Sequence, residues 1–474
     1  MSAGSATSPT HPGISASRGA GRRSRGAADE PQDWFLRRKA MRRVGSPFLL
    51  RDYRRLPPTP VASILALVAE VHRARPRRPY FLWPASAVLR SLLRLPRDIG
   101  RPLRRHGKAA RESFGRALPL QALDMLRAWW ATGLSPRLYH RALLARHSGG
   151  PAIRHYLSFD HLALAVRELQ LDRFGEPPFH VNDKVAFGAW RRAQKLPGPE
   201  EIALVHGSDT LEPDQLDRLG DRLIVKPRAS SGGKGVRAWE RARDGSWVSE
   251  GLRLSPPALV EWIRSQRCQG RGGVLIQERL ANHSAILGLC GETLSTCRIV
   301  TIRNERGEPE VVEFVWRMAT RADAPVDNFH AGGAFFAVRD LATGELAVCV
   351  GPGAAARQKL SDRHPGSGAP MIGARHPFFR EACRLALEAH GRLPGLLLVG
   401  WDVATTPDGP ALVEMNVPPG SGPLTQIASD GLEHSRYGEI LGWHARAWLD
   451  EHAARSSHRR IGARSPTCSS WRAS

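Results

Sequence analysis

The sequence contains no long hydrophobic run. The longest nearly uninterrupted apolar stretch, residues 61–71, is about ten residues long, whereas a membrane-spanning helix needs roughly 20. Residues 1–28 are composed mainly of Ser, Gly, Ala, Pro and Arg and include no apolar core of a secretion signal. We therefore expect neither an integral membrane protein nor a secreted one.

Cysteine and lysine are both scarce. The six cysteines form no CxxC pair and have no zinc-finger spacing. This excludes a disulfide scaffold and a zinc finger, and it favours a reduced, cytoplasmic protein. Only seven of the 69 basic residues are lysines, so the position of each lysine is informative.

The positive charge is confined to one part of the chain. Of the formal net charge of +24, residues 1–150 carry +21 and residues 151–474 only +3. The basic part indicates either solvated arginines on a helical region or a surface that contacts anionic lipid. No RNA-binding or zinc-finger motif accompanies it, so we do not expect nucleic acid as a partner.

Composition and periodicity divide the chain into four parts. These are a low-complexity, disordered tail (1–32), a basic helical region (33–150), an α+β domain (151–450) and a Ser/Arg-rich flexible tail (451–474). In the basic region, Leu120, Leu123, Leu126 and Trp130 recur at helical spacing. We expect its helices to be broken by prolines, including Pro96 and Pro102.

The α+β class rests on alternating strand and helix patterns without an internal repeat. Strands are predicted at 223–226, 274–280, 296–302, 311–316, 334–338, 346–350, 396–404 and 410–417. Helices are predicted at 184–195, 256–266 and 377–390.

Asp402, Glu414 and Asn416 form the clearest cluster of polar residues. If the strands around the turn at 406–409 pair symmetrically about Asp408, Asp402 and Glu414 lie opposite each other, with Cβ atoms about 5 Å apart. Strand alternation places Asn416 on the same face. Three such oxygen ligands suit Mg²⁺, which commonly shares its site with phosphates. The alternative is an exposed hairpin with a solvated polar face.

A Ser/Gly-rich loop follows the strand that ends in Lys226. The loop consists of Ser230, Ser231, Gly232, Gly233, Lys234 and Gly235. Such a loop can wrap closely around phosphate, offering backbone N–H groups and a lysine charge. It is not a Walker A loop, because Gly235 stands where that motif requires Ser or Thr. A plain hairpin turn is the alternative.

Two arginines belong to predicted strands. Arg298 lies inside the strand at 296–302, and Arg317 directly follows the next one. Arginine in an apolar strand usually needs a partner, and a phosphate or acyl-phosphate would serve. A salt bridge to Glu313 or Asp323 is the alternative.

The strand at 274–280 turns polar at Gln277 and Glu278. The edge of such a strand can bind an adenine through its backbone, while Glu278 takes the ribose hydroxyls. By itself, the pattern is also that of any strand leaving a core.

Taken in order, these features resemble the ATP-grasp superfamily. The order is a lysine before a helix (Lys184), the Val-Lys-Pro strand with its loop, Gln-Glu-Arg-Leu (277–280), and Asp402 followed by Glu414-x-Asn416. The likeness is greatest to the sugar-transfer-associated and α-L-glutamate-ligase-like ATP-grasp proteins, and it covers roughly residues 155–445. It implies an ATP-grasp fold, two α/β lobes clasping ATP, after the basic helical region.

The resemblance implies a role for each motif. Lys184 and Lys226 would hold the nucleotide phosphates, and Arg298 and Arg317 would stabilise the γ-phosphate and an acyl-phosphate. The loop Ser230 to Gly235 would close over the phosphates as a mobile flap. Adenine and ribose would be held by Gln277, Glu278 and Leu280, and one or two Mg²⁺ ions by Asp402, Glu414 and Asn416.

The function implied is that of an ATP- and Mg²⁺-dependent carboxylate–amine ligase in cell-surface polysaccharide biosynthesis. Its substrate would be a small-molecule or lipid-linked glycan. Separately from the resemblance, the charge of +21 on residues 1–150 suggests that the basic region, residues 33–150, makes peripheral contact with an anionic membrane. Two alternatives stay open: a kinase of the same fold that phosphorylates a hydroxyl, and a non-catalytic protein that binds lipid or nucleic acid.

Three details qualify the resemblance. Gly400 stands two residues before Asp402, where D-alanine-ligase-type enzymes have an arginine, so a substrate role taken from that subgroup does not transfer. His283 and His330 are candidate bases for the amine, although a structural role is the more common one for each. Asp327 and Asn328, beside the glycine pair 332–333, are candidate contacts to the acceptor.

Overall fold

The computed structural model of the chain describes most residues between Pro57 and Gly462. The described residues are 49, 57–73, 83–142, 144–147, 151–205, 208–229, 235–269, 272–320, 333–350, 362–420 and 426–462. All the described residues belong to one compact unit. The predicted disordered tail, residues 1–32, lies outside the described residues.

Two antiparallel sheets of six strands each form the centre of the molecule. The first sheet contains Glu201–Leu204 (β1), Arg222–Pro227 (β2), Arg237–Arg241 (β3), Trp247–Ser249 (β4), Leu252–Leu254 (β5) and Val274–Glu278 (β6), in the order β1-β6-β2-β3-β4-β5. The second contains Thr296–Arg303 (β7), Pro309–Met318 (β8), Ala334–Val338 (β9), Leu346–Val350 (β10), Leu398–Thr406 (β11) and Gly409–Asn416 (β12), in the order β10-β9-β8-β7-β11-β12.

Helices precede, connect and follow the strands. They are Pro60–Arg73 (α1), Trp83–Phe114 (α2), Leu118–Thr132 (α3), Pro136–Arg141 (α4), Phe159–Leu169 (α5), Lys184–Ala193 (α6), Pro213–Asp217 (α7), Pro256–Gln269 (α8), Ser284–Cys290 (α9), Phe379–Gly391 (α10) and Arg436–Gly462 (α11). A π-helical turn, Gln170–Phe174, extends α5, and short 3₁₀ turns lie at Leu144–Arg146, Pro151–His155 and Leu432–His434. The predicted α+β class is confirmed.

All eight predicted strands and all three predicted helices are present, with ends shifted by a few residues. Four strands were not predicted: β1, β3, β4 and β5, which have only three to five residues each. In β3, Arg237-Ala238-Trp239-Glu240-Arg241, charged residues hide the strand pattern around the single buried residue, Trp239. Short strands with one buried side chain leave little periodicity to detect.

The first sheet has its own apolar core. Trp239 and Trp247 from the sheet pack with Leu223 and Ile276, and α8 covers them with Ile263. These side chains are fully buried, and each contributes about 1.5–3 kcal/mol of hydrophobic stabilisation. The second sheet is covered by α10, which contacts β7, β8, β11 and β12, while α11 packs on β7 and β8.

The predicted basic N-terminal region does not behave as one structural element. Its first helix, α1, packs against α5 and the C-terminal helix α11, and Glu433 accepts a hydrogen bond from the Val61 N–H at the start of α1 (2.9 Å). Helices α2, α3 and α4 instead form a cluster that also buries Ile153 and Tyr156. The predicted division at residue 150 therefore falls within packed structure.

Two features of the helices differ from the sequence-based expectation, although residues 463–474 of the predicted tail lie outside the described residues. Helix α2 runs unbroken for 32 residues through Pro96 and Pro102, because packing on α3 and α4 holds its turns in place despite the missing N–H groups. Helix α11 extends to Gly462, past position 451, where the predicted flexible tail begins. Within the described part of the chain, no helix is both long and apolar enough to cross a membrane.

Candidate active site

The hairpin of β11 and β12 brings the predicted metal ligands together. Asp402 lies directly opposite Glu414, as the sequence predicted, and Gly400 lies opposite Asn416. Because side chains alternate along a strand, Glu414 and Asn416 project from the same face. Asp402 is almost fully buried, whereas Glu414 and Asn416 are half-buried.

The register is reached in a way that the sequence analysis did not anticipate. The turn has only two residues, with Thr406 opposite Gly409, and this pairing alone would place Asp402 opposite Val413. An extra residue in β12, a β-bulge, then shifts the register by one and places Glu414 opposite Asp402. The predicted pair is correct, but the predicted symmetry about Asp408 is wrong.

Asp402 is held by the two predicted catalytic arginines. Arg298, directly opposite Asp402 on β7, donates from Nε to Oδ1 (2.5 Å), and Arg317 at the end of β8 contacts Oδ2 through Nη2 (2.9 Å). Burial would raise the pKa of Asp402, but the two guanidinium groups lower it to about 2. Thr296 accepts a further hydrogen bond from Nε of Arg317 (2.9 Å). Both guanidinium groups therefore have Asp402 as a partner; of the alternatives suggested by the sequence, Asp323 lies outside the described residues.

The two predicted phosphate-binding lysines meet at Glu414. Nζ of Lys184 lies 3.0 Å from Oε1 of Glu414, and the Lys226 side chain is buried on β2. Burial lowers the pKa of Lys226 to about 8, with Glu414 acting in the opposite direction and Lys184 in the same one. Lys184 from α6 and Lys226 from β2 thus both interact electrostatically with the carboxylate of Glu414.

Neighbours of Lys184 fix its position. Asp183 caps α6 by accepting from the N–H groups of Val185 and Ala186 (3.0 and 3.3 Å), and it binds the guanidinium of Arg228, just after β2. Asn182 exchanges two hydrogen bonds with the Val417 backbone beyond β12. The start of α6 is therefore tied to both sheets.

Glu201 on β1 is a site residue that the sequence analysis missed. Its buried carboxylate accepts from Nε2 of Gln277 (2.7 Å) and forms an ion pair with Arg192. It occupies the space beside Gly188 of α6, where an added Cβ would lie 1.6 Å from Oε1 of Glu201. Only glycine allows this approach. No sequence signal marked Glu201, whereas the helix-capping pattern could have identified Asp183.

The predicted adenine hinge lies on an inner strand rather than at a free sheet edge. Strand β6 is paired with β1 and β2 on its two sides, and the Glu278 N–H donates to the Glu200 carbonyl (3.0 Å). The Glu278 carboxylate accepts from the Glu200 N–H (3.0 Å). Leu280 follows the strand and is half-buried. The hinge roles of Gln277, Glu278 and Leu280 stay a prediction.

Several predicted residues lie outside the described part of the chain. These are Ser230, Ser231, Gly232, Gly233 and Lys234 of the loop, and Asp323, Asp327, Asn328 and His330. Gly235, the last loop residue, has φ +74°, and an added Cβ would lie 2.9 Å from the Pro227 ring. His283 caps α9 by accepting from the Ala285 N–H (3.0 Å), so its described contacts are those of a structural residue.

Close packing explains why Gly400 departs from the D-alanine-ligase pattern. A Cβ at position 400 would lie 2.4 Å from Cβ of Pro419 and 3.4 Å from Cδ of Arg298. The chain that follows β12 covers this position, so an arginine side chain has no space here. Arg298 on β7 and Arg317 on β8 supply the positive charge beside Asp402 instead.

The donor set fits a Mg²⁺ ion chemically. Asp402, Glu414 and Asn416 offer two carboxylates and an amide, the oxygen ligands that Mg²⁺ prefers. The buried amide nitrogen of Asn416 has no hydrogen-bond partner among the described residues, so no such hydrogen bond fixes the orientation of the amide group. Among the described residues, no group of three or more His, Cys, Asp or Glu side chains forms another candidate metal site.

A family model described as sugar-transfer associated ATP-grasp matches residues 177–437, more than half of the chain. The chain belongs to this ATP-grasp family. The predicted family and ATP-grasp fold are thereby confirmed, and the matched segment contains every residue of the candidate site. No curated protein sequence matches the chain.

Solved ATP-grasp structures are similar at low identity. D-alanyl-alanine synthetase A from Vibrio cholerae O1 biovar eltor is 13% identical with a TM-score of 0.32, and the match covers 56% of this chain and 64% of that one. A D-alanine–D-alanine ligase from Bacillus anthracis is 14% identical with a TM-score of 0.34, and the match covers 58% of this chain and 69% of that one. The biotin carboxylase domain of Hydrogenobacter thermophilus 2-oxoglutarate carboxylase is 14% identical with a TM-score of 0.34. This match covers 56% of this chain and 45% of that one.

Proposed function

We propose that this ATP-grasp protein is an ATP- and Mg²⁺-dependent carboxylate–amine ligase acting on a precursor or component of a cell-surface polysaccharide. The observation that carries the proposal is the convergence of four cationic side chains on two facing carboxylates. Lys184, Lys226, Arg298 and Arg317 come from four different elements and surround Asp402 and Glu414. The sugar association rests on the family description alone.

Each group has a role in this proposal. Lys184 and Lys226 bind the ATP phosphates, the loop from Ser230 to Gly235 covers them, and Gln277, Glu278 and Leu280 hold adenine and ribose. Asp402, Glu414 and Asn416 would hold one or two Mg²⁺ ions, which neutralise charge on the phosphates. Arg298 and Arg317 then exchange part of their contact with Asp402 for oxygens of the transferred phosphoryl group.

The chemistry follows in two steps. A substrate carboxylate oxygen attacks the γ-phosphorus of ATP, the bond to the β-phosphate oxygen breaks, and ADP leaves an acyl-phosphate behind. The amine nitrogen attacks the acyl carbon, inorganic phosphate leaves, and the amine proton passes to solvent. Positioning and charge stabilisation supply most of the catalysis in such phosphoryl transfers.

Calorimetric titration with MgATP tests the nucleotide site. We expect binding by the wild-type protein and its loss in a Lys226→Ala, Glu414→Gln double variant. A Lys108→Ala, Glu381→Gln double variant removes the same residue types from exposed positions and should bind as the wild type does. Absence of magnesium-dependent binding in folded wild-type protein would refute the proposal.

Product analysis separates the ligase from a kinase of the same fold. With a carboxylate substrate labelled with ¹⁸O, a ligase transfers one labelled oxygen to inorganic phosphate and sustains repeated turnover only when both co-substrates are present. A kinase forms ADP without free phosphate and leaves a phosphorylated hydroxyl. The second result would replace the ligase by the kinase while keeping the MgATP site.

A further inference from the structure

Exposed apolar side chains are concentrated on two neighbouring helices of the N-terminal half. Of eleven exposed large hydrophobic side chains among the described residues, seven belong to α2 and α3. They are Leu89, Leu92 and Leu93 on α2, and Leu120, Leu123, Leu126 and Trp130 on α3. We call these seven the apolar patch. Single exposed leucines are ordinary, but a concentration of this kind marks an interaction surface.

Helix α3 buries two polar residues, Gln121 and Asp124, on the same inner side as Met125, Ala128 and Trp129. Buried Asp124 accepts two hydrogen bonds from Arg116 (both 2.9 Å) and one from the Tyr139 hydroxyl (2.9 Å). Buried Gln121 donates to the Gly107 carbonyl (3.0 Å) and contacts the His140 ring (2.9 Å). These contacts to α2, α4 and the α2–α3 connection fix the rotation of α3, and they leave its leucines and Trp130 at the surface.

The two helices that carry the apolar patch pack against each other. Trp129 of α3 donates from its indole nitrogen to Oγ of Ser91 on α2 (2.9 Å). Ser91 directly precedes Leu92, and the Trp129 ring lies 6.4 Å from that of Trp130. This bond joins the packed sides of α2 and α3, and the exposed leucines of both helices belong to the outer surface of this helix pair.

Positive charge flanks the patch. Within Trp83–Phe114 there are eight basic residues and only two acidic ones. Arg94, Arg97 and Arg101 are exposed, and helical spacing aligns them beside the face of Leu89 and Leu93. A helix with leucines on one face and arginines next to them is typical of segments that lie in a membrane interface.

We propose that α2 and α3 form a docking surface for an anionic lipid bilayer. The leucines and Trp130 enter the boundary between headgroups and acyl chains, and the arginines pair with lipid phosphates. Nucleic acid would engage the arginines but leave seven apolar side chains in water, so lipid fits the surface better. The proposal goes beyond the ligase function and does not depend on it.

Co-sedimentation of the full chain with lipid vesicles tests the proposal. The probes are phosphatidylcholine vesicles with and without phosphatidylglycerol. One variant carries Leu93→Ser and Trp130→Ser, and another Arg94→Gln, Arg97→Gln and Arg101→Gln. Matched controls remove the same numbers of exposed apolar and basic side chains elsewhere: Leu287→Ser with Ile372→Ser, and Arg243→Gln, Arg380→Gln and Arg384→Gln.

We expect the wild-type protein and both controls to bind the anionic vesicles. The triple arginine variant should bind about 100-fold more weakly, and the Leu93, Trp130 variant roughly 10- to 100-fold more weakly. Brominated lipids should quench part of the tryptophan fluorescence of the wild-type protein, and this quenched part should be missing in Trp130→Phe. If a serine variant fails to fold, the quenching measurement still tests whether Trp130 enters the lipid.

Three results would overturn the proposal. The first is a wild-type protein that does not bind the anionic vesicles. The second is unchanged vesicle binding in both patch variants together with equal quenching in Trp130→Phe. The third is tight binding of duplex RNA or DNA that depends on the three arginines but not on Leu93 and Trp130, which would assign the surface to nucleic acid. None of these outcomes affects MgATP binding, so failure here is distinct from failure of the proposed function.

Discussion

The arginines of the candidate active site and those of helix α2 have opposite surroundings. Arg298 and Arg317 are mostly buried and share one carboxylate, Asp402. Arg94 and Arg97 are exposed on a helix that has eight basic and two acidic residues. The excess of basic residues in α2 therefore lies on the protein surface. The proposed chemistry depends instead on a few cationic side chains within residues 151–474, whose net charge is only +3.

Replacing Asp402 by Asn should give the largest effect. The change leaves two buried arginines without their shared charge, and breaking a buried pair in this way costs about 3–5 kcal/mol of unfolding free energy. We also expect ADP formation to fall about 100- to 1,000-fold. Denaturant unfolding and an ADP assay measure the two effects.

Asp244→Asn is the matched control for this variant. Asp244 pairs with Arg253 at 2.7 Å, but both side chains are exposed, and exposed pairs contribute little. We expect wild-type stability and activity. Equal losses in the two variants would contradict the contrast between buried and exposed arginines.

Gly188→Ala tests whether tight packing behind the lysines matters. The new Cβ would displace Glu201, and we expect a loss of about 1–3 kcal/mol in unfolding free energy and weaker MgATP binding. In the control Gly288→Ala on α9, nothing lies within 4 Å of the added Cβ. This variant should therefore gain roughly 0.5–1 kcal/mol of unfolding free energy. A neutral Gly188→Ala variant would argue against a fixed position for α6.

Acid should destabilise the domain that contains the second sheet. Burial lowers the pKa of His390 to about 4 and that of His376 to about 3. The unfolded chain therefore binds more protons below the ordinary histidine pKa of 6.5, and stability falls as the pH drops from 6.5 toward 4. Each such histidine contributes a loss of about 1.4 kcal/mol of unfolding free energy per pH unit in this range.

Denaturant unfolding at several pH values measures this slope. His390 lies between Oγ1 of Thr301 (2.8 Å) and the Leu396 carbonyl (2.9 Å), so His390→Gln lowers stability at every pH. The informative quantity is the pH slope, which should become shallower in this variant. An unchanged slope would exclude His390 as a source of the acid sensitivity.

The smallest effect is expected on the outer face of α3. Leu123→Ser should change the free energy of unfolding by no more than about 0.5 kcal/mol, because the residue is 38% exposed. Met125, two positions away, is fully buried, and Met125→Ser should cost roughly 2–5 kcal/mol. Similar losses at the two positions would mean that the apolar patch is covered by something in solution.

The metal-ligand hairpin shows how a correct prediction can rest on an incomplete model. Strand patterns and turn residues located both strands, and the pair Asp402–Glu414 was predicted correctly. The turn is one residue shorter than symmetry about Asp408 requires, and the bulge in β12 compensates. Each of these features shifts the register by one residue, and no local pattern in the sequence revealed either.

Other features of the site were beyond local patterns altogether. Gln277 and Glu278 were located as a strand, but the pairing of that strand on both sides was not foreseen. Glu201 belongs to a four-residue strand whose role emerges only from its contacts with Gln277 and Gly188. Short elements carry too little periodicity to be placed, and partners distant in sequence cannot be inferred from one sequence.

The sequence by itself determined the α+β class, the longer helices and strands, and the ordered motifs that identify an ATP-grasp protein, because these depend on spacing within short segments. Only the tertiary structure decided which charges meet: Arg298 and Asp402 are separated by 104 positions in the chain, and Lys184 and Glu414 by still more. It also decided that the leucines of α3 face outward, since Asp124 and Gln121 find their partners on other helices. Such choices follow from the free energy of satisfying buried polar groups across the whole fold, which no local pattern records.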